Sequence, residues 1–156
     1  MSSNVVLERQ NSFLEPGDKR SVRIVVADDN EATLQAMARF LQEEHYSVVG
    51  TVPDGSALVK EVARLTPDLA VVDITMPRVS GIEAVFQLKQ KNCGTKFVML
   101  TVHREPEFVK LAFDAGACGY VLKHRVVTDL PAAIESALRG ERFLSPPLTD
   151  PAATSV

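Results

Sequence analysis

The sequence predicts an α/β fold in which a parallel sheet is covered by helices on both faces. Three observations predict it. Short, β-branched apolar runs alternate with amphipathic stretches five times between Val22 and Arg139, and that alternation makes a parallel sheet with right-handed crossovers. The third run, Leu69 to Val72, is apolar without interruption, the pattern of a strand sealed on both faces. It ends on one carboxylate, Asp73, before the chain turns at Met76-Pro77. In open α/β sheets ligands bind beyond the carboxyl ends of the strands, although an isolated Asp also serves simply to cap a loop.

Each element has its own signal. Val22 to Ala27 is a β-branched strand ending in Asp28-Asp29-Asn30. Glu31 to Glu44 then places Leu34, Met37, Ala38 and Leu41 on one helical face, with Asn30 suited to take a free amide of the first turn. Tyr46 to Val52 reads as a second strand. Asp54 to Leu65 reads as a helix capped by Asp54, with Pro67 beyond its end. After the strand Leu69 to Asp73, Gly81 to Lys91 carries Ile82, Val85, Phe86 and Leu88 at helical spacing. Lys96 to Thr101 is the fourth strand, and Glu105 to Ala115 a helix that tolerates Pro106 in its first turn. Cys118 to Leu122 and Val126 to Arg139 complete the fifth strand and helix, stopped by Gly140. The folded domain is therefore expected over residues 22–144. Residues 1–21, polar and charged around Pro16-Gly17, are expected as a flexible arm. Residues 145–156, with Pro146, Pro147 and Pro151, are expected as a flexible tail with too little apolar content to fold alone.

Composition bounds the function. At 156 residues and 46% hydrophobic content, the chain fills one core and leaves no room for a second folded domain. A formal net charge of −3 gives no general attraction to nucleic acid or to an anionic membrane. Cys93 and Cys118 have no CxxC spacing, and no cationic, apolar signal segment opens the chain. The expectation is a reduced, cytoplasmic protein. No apolar run approaches the roughly 20 residues of a membrane span.

With the strands parallel, their carboxyl ends share one edge and bring together Asp28 and Asp29 from the first strand, Asp73 from the third, Thr101 from the fourth and Lys123 from the fifth. In a flavodoxin-like three-layer sandwich, a five-stranded parallel sheet of order 2-1-3-4-5, strands one and three are neighbours and the three acids fall into one crevice. Carboxylates so crowded repel one another and call for a cation. Hard oxygen ligands with an incomplete shell suit Mg²⁺, which keeps waters and accepts a phosphate oxygen. Lys123 adds a compact positive charge, and Thr101 a hydroxyl that can donate to an anion. The chemistry such an edge supports is phosphoryl transfer to Asp73, a carboxylate nucleophile, with the charge of the transferring group neutralised around it.

These residues resemble a family: the stretch from Val22 to about Leu148 is similar to the receiver domain of two-component response regulators. Asp73 stands 44 positions after Asp29, Thr101 28 after Asp73, and Lys123 22 after Thr101, spacings that agree with that family. The resemblance implies Asp73 as phosphoacceptor, Asp29 as a direct metal ligand, Asp28 as a ligand through water and Thr75 as a ligand through its backbone carbonyl. It implies that Thr101 and Lys123 hold the phosphoryl oxygens, and that Tyr120, in GACGYVLK, is the aromatic switch coupled to Thr101. Thr75 and His103 occupy the positions that modulate dephosphorylation in the family. Two positions depart from its pattern: His124 stands where many receivers have proline, and Val102 where a small residue is common. LPAAIESALRGERFLSPPL, from Leu130 to Leu148, resembles the last helix and exit strand of NarL/FixJ-type receivers, where a helix-turn-helix DNA-binding domain normally follows.

The function so implied is a signalling switch rather than a turnover enzyme. It takes a phosphoryl group from a histidine kinase or phosphotransfer protein and relays it to a downstream protein target, with homodimerisation through the first and fifth helices or the fourth-helix face. The alternatives are the regulatory fragment of a DNA-binding transcriptional regulator, a Mg²⁺-dependent phosphatase of the aspartyl-phosphate type and a flavodoxin-type cofactor binder. The phosphatase wants a second acid two residues after its nucleophile, where this chain has Thr75. The cofactor binder wants a phosphate loop that Asp28-Asp29 would repel.

Overall fold

The computed structural model describes residues 22–151. The arm expected at 1–21 and the last five residues of the expected tail lie outside the described residues. Strands and helices alternate as β1 (Arg23–Ala27), α1 (Glu31–Glu43), β2 (Ser47–Val52), α2 (Gly55–Leu65), β3 (Leu69–Val72), α3 (Gly81–Gln90), β4 (Lys96–Thr101), α4 (Pro106–Ala115), β5 (Gly119–Leu122), a 3₁₀ turn (Lys123–Arg125), α5 (Val126–Leu138) and β6 (Phe143–Leu144). The caps are those the sequence supplies. Asn30 Oδ1 accepts from the Thr33 amide at 2.9 Å and Asp54 Oδ1 from the Ala57 amide at 2.8 Å, each satisfying an amide that the first turn leaves free. Pro106 opens α4, and Gly116 closes it with φ 118°, a left-handed conformation suited to glycine.

All neighbouring strands are parallel, in the order β2-β1-β3-β4-β5-β6. The expected five-strand order is present, and the two-residue β6 extends it along β5. Alternate side chains of each strand feed two separate cores. Val25, Ala27, Ala70, Val72, Phe97 and Met99 pack with Leu58 and Val62 of α2, Val85 and Leu88 of α3 and Val109 of α4. Ile24, Val26, Leu69, Val71, Val98 and Leu100 pack on the other face with Leu34 and Leu41 of α1 and Leu130 and Ile134 of α5. Both faces are dry, which is why β3 and β4 read as continuous apolar runs instead of alternating ones.

The end of the domain differs from the reading of composition. Ser145, the first residue of the expected tail, is fully buried, and its amide donates to the Tyr120 carbonyl at 3.0 Å. Packing therefore continues past residue 144. It is carried by the hydrogen bonds of Ser145 and by Leu148, which packs against the first core.

At the carboxyl edge of the sheet, the Asp73 amide donates to the Ala27 carbonyl at 3.0 Å and the Gly81 amide to the Ile74 carbonyl at 2.8 Å, so the β3–α3 loop folds back on the strand end. A Cβ at position 81 would meet the carbonyl oxygen of Asp73. Gly81→Ala is therefore expected to destabilise the fold by about 1–3 kcal/mol. Gly94→Ala, where a Cβ would meet no atom within 4 Å, should stay within about 0.5 kcal/mol. Urea titrations of both variants measure the difference.

Candidate functional site: an acidic crevice at the strand ends

The strand order sets the site. β1 and β3 are neighbours, so Asp28 and Asp29, just past β1, meet Asp73, just past β3. One carboxylate oxygen from each lies within 4.8 Å of the other two. Asp28 and Asp73 are buried and Asp29 is exposed. Asp28 is oriented by the Asn30 amide, which donates to Oδ1 at 2.9 Å, leaving Oδ2 to accept from Lys123 Nζ at 2.9 Å. The same ammonium lies 3.4 Å from Asp73 Oδ2. Lys123 reaches in from the end of β5, and Thr101, fully buried, closes the end of β4 between them. The five residues expected at this edge are thus at the ends of four strands of one sheet.

Burial pushes the Asp73 carboxyl above its ordinary range; Lys123 pulls it down and the Asp28 charge pushes it further up. Burial works against the Lys123 ammonium, but its bonds to Asp28 and the charge of Asp73 outweigh it and raise its pKa, keeping it protonated. One ammonium faces three carboxylates, and the crevice carries excess negative charge. A donor set of hard oxygens, two of them buried, fits a hard divalent cation such as Mg²⁺ with open positions.

The loops above the crevice are linked to one another. Thr75 Oγ1 and His103 Nε2 are 2.7 Å apart, which ties the β3–α3 loop to the β4–α4 loop. The His103 ring stacks on Phe108 at 4.3 Å between centroids, and its amide donates to Thr101 Oγ1 at 3.1 Å. Tyr120 is fully buried, and its hydroxyl donates to the His103 carbonyl at 2.8 Å; burial, with the nearby Glu105 charge, raises its pKa. Thr101 and Tyr120 therefore converge on one residue, His103. Val102 points outward, 69% exposed, and His124 is exposed in the 3₁₀ turn. Sequence reasoning missed Arg78, whose Nη1 donates to Asp54 Oδ2 at 2.8 Å and joins the β2–α2 and β3–α3 loops. It also missed Asp129, buried and paired with Arg125 at 2.7 Å. Nothing local marks the first contact, because Arg78 and Asp54 lie 24 positions apart; the second is an i,i+4 pair, a spacing that the sequence does display.

An open parallel sheet with an acid cluster at its switch point, faced by a lysine and a threonine, defines the class of aspartate-based phosphoryl sites. The chain belongs to the response regulator receiver domain family, whose model matches residues 24–135. It is 35% identical over 129 residues to the uncharacterized transcriptional regulatory protein YvfU of Bacillus subtilis, covering 82% of this chain and 64% of that one. It is 34% identical to the transcriptional regulatory protein DesR of the same organism, covering 83% and 64%. The chain thus spans less than two thirds of these curated relatives. Among solved structures it resembles a LuxR-family response regulator from Aurantimonas sp. SI85-9A1, with TM-score 0.76, 34% identity and coverage of 80% and 89%. It also resembles the receiver domain of the putative response regulator NarL from Mycobacterium tuberculosis, with TM-score 0.73, 29% identity and coverage of 77% and 98%. The protein carries a receiver of two-component, phosphorylation-dependent signalling. No helix among the described residues is long and apolar enough to cross a membrane.

The raised Asp73 pKa gives a signed prediction. The folded state holds this proton more tightly than the unfolded state does, so stability falls as pH rises from the ordinary carboxylate range through the folded value. In metal-free buffer at about pH 7, Asp73→Asn should raise the midpoint of thermal unfolding, and the gain should shrink toward about pH 4. Circular-dichroism melts across that range check both the sign and the trend.

Proposed function

We propose that Asp73 is the phosphoacceptor of this receiver and that Asp28, Asp29, Asp73 and the carbonyl of Thr75 hold one Mg²⁺ beside it. The observation that carries the reading is the crowding of three carboxylate oxygens within 4.8 Å, with Lys123 between Asp28 and Asp73. A carboxylate oxygen of Asp73 attacks phosphorus. The new O–P bond forms as the bond from phosphorus to the donor's imidazole nitrogen, or to the oxygen of a small acyl phosphate, breaks with its electron pair. Lys123 Nζ and the Thr101 hydroxyl bind two of the equatorial oxygens, and the depth of Asp73 limits water around them. The metal, when bound, supplies charge neutralisation at the transferring group. The chemistry is confined to transfer to and loss from Asp73, so that the chain acts as a signalling protein without an external turnover substrate.

Receivers of this family partner with histidine kinases, and a histidine kinase or phosphotransfer protein is the donor proposed here. The output follows from the links already described. Thr101 Oγ1, once it turns to donate to a phosphoryl oxygen, gives up its acceptor role toward the His103 amide. His103 also carries the carbonyl that holds Tyr120. Phosphorylation thereby biases the β4–α4 loop and the face of α4, β5 and α5, a two-state shift read by a downstream protein or a second copy of the chain. A cytoplasmic site of action is consistent with two free cysteines, Cys93 and Cys118.

A second reading is favoured by the names and lengths of the relatives. YvfU and DesR are transcriptional regulatory proteins that exceed the matched region, and this receiver then serves as the regulatory part of such a protein. DNA would be bound by the additional part, not by a receiver-bearing chain of net charge −3. A gel shift with this chain alone should show no salt-sensitive retention.

Intact mass after incubation with acetyl phosphate and Mg²⁺ tests the acceptor. The chain should gain roughly 80 Da, one phosphoryl group on a carboxylate. Asp73→Asn and a chelator should each abolish the gain, and its persistence in Asp73→Asn would sink the assignment. Asp29→Asn should weaken Mg²⁺ binding by calorimetry on the order of tenfold, since it removes one charged ligand of an incomplete shell.

A further inference from the structure

Lys123 sits on a turn that is braced from outside the phosphoryl site. Lys123–Arg125 is a single 3₁₀ turn between β5 and α5, and one such turn has little rigidity of its own. On its near side, the Leu122 amide donates to Ser145 Oγ at 3.1 Å. On its far side, Arg125 Nε donates to Asp129 Oδ2 at 2.7 Å. Ser145 Oγ donates to that same oxygen at 2.7 Å, which closes a ring from Leu122 through Ser145 and Asp129 to Arg125. Lys123 stands inside that ring.

The chemistry of the brace is specific. Ser145 is fully buried and Asp129 is 5% exposed. Only a hydroxyl can accept from the Leu122 amide and donate to the Asp129 carboxylate at one atom. An apolar residue at 145 would leave the buried amide without a partner and take one donor from a buried charge. The Ser145 amide also donates to the Tyr120 carbonyl at 3.0 Å, so this residue grips β5 at two points. Three residues earlier, the Arg142 guanidinium lies 4.6 Å from the centre of the Phe113 ring on α4 and pairs with Asp150 at 3.1 Å. The segment from Phe143 to Asp150 is thus fastened to α4, β5 and α5 together.

We infer that Ser145 is a positioning residue for Lys123: it fixes the turn from which the ammonium reaches Asp28, Asp73 and a phosphoryl group on Asp73. The inference rests on the proposed role of Lys123. The chain continues C-terminally from Ser145, so a pull on the segment beyond it changes the affinity of the crevice for a phosphoryl group. By linkage, occupation of the crevice changes the hold on that segment equally.

The test is the affinity of the full chain for beryllofluoride at saturating Mg²⁺, followed by amide chemical shifts. Ser145→Ala should weaken binding roughly three- to tenfold, the loss of one or two hydrogen bonds at the turn. Ser145→Thr, which keeps the hydroxyl, should restore it. In the Lys123→Ala background, Ser145→Ala should have no further effect, because the residue acts through the lysine. Wild-type affinity in Ser145→Ala, or the same loss with and without Lys123, overturns the inference. If Ser145→Ala fails to fold, Asp129→Ala removes the shared acceptor of Ser145 and Arg125 and should likewise have no further effect in the Lys123→Ala background. A wild-type chain that binds no beryllofluoride would sink the acceptor reading itself, whereas binding by the wild type with an unaffected Ser145→Ala sinks this inference alone.

Discussion

Crowding of like charge at the end of a buried sheet is the constraint on which the rest of this molecule depends. Asp28 and Asp73 are buried, and Asp29 brings a third carboxylate to within 4.8 Å of both. Such a cluster is costly unless cations face it. Among the described residues the Lys123 ammonium is bonded to two of them, Asp28 and Asp73, and the proposed divalent ion would balance the remaining charge. The carboxylate that burial destabilises, Asp73, is the proposed phosphoacceptor. A site whose charge is incompletely balanced responds strongly to whatever enters it, which is what a switch requires.

The second property of the structure is that the loops over this cluster are not independent. Thr75 meets His103 across the β3–α3 and β4–α4 loops, and Arg78 meets Asp54 across the β3–α3 and β2–α2 loops. Ser145 and Asp129 bind the turn after β5 to the segment that follows α5. Each link is polar, and each joins residues that backbone hydrogen bonding of the sheet does not hold. The two packed cores below supply a rigid platform, and in the proposed switch these contacts are the links available to carry a change at Asp73 to the α4–β5–α5 face. Tyr120 joins the core to the β4–α4 loop, with its ring in the core and its hydroxyl on the His103 carbonyl.

Most of the fold was legible because its signals are local. Apolar runs gave β1, β3 and β4 to within a residue or two, and Asn30, Asp54 and Pro106 marked helix starts by chemistry confined to one turn. The candidate site was legible for a different reason: parallel strands put all their carboxyl ends on one edge, so placing Asp28, Asp29, Asp73, Thr101 and Lys123 at strand ends was enough to gather them. The burial of Ser145 was not legible, because its partner Asp129 lies 16 positions away and the polar, proline-rich composition around it carries no signal of that bond.

The sequence by itself determined the element types, the strand-end identity of the reactive residues and the family to which they belong, because periodicity, capping and spacing act over a few neighbouring residues. Only the tertiary structure decided the inward position of Tyr120, the contacts of His103 with Thr75, Thr101 and Tyr120, the pairing of Arg78 with Asp54 and the anchoring of Ser145. Those outcomes depend on donors and acceptors brought within hydrogen-bond reach by the closure of the sheet and its helices, over separations at which the linear chain carries no periodic signal.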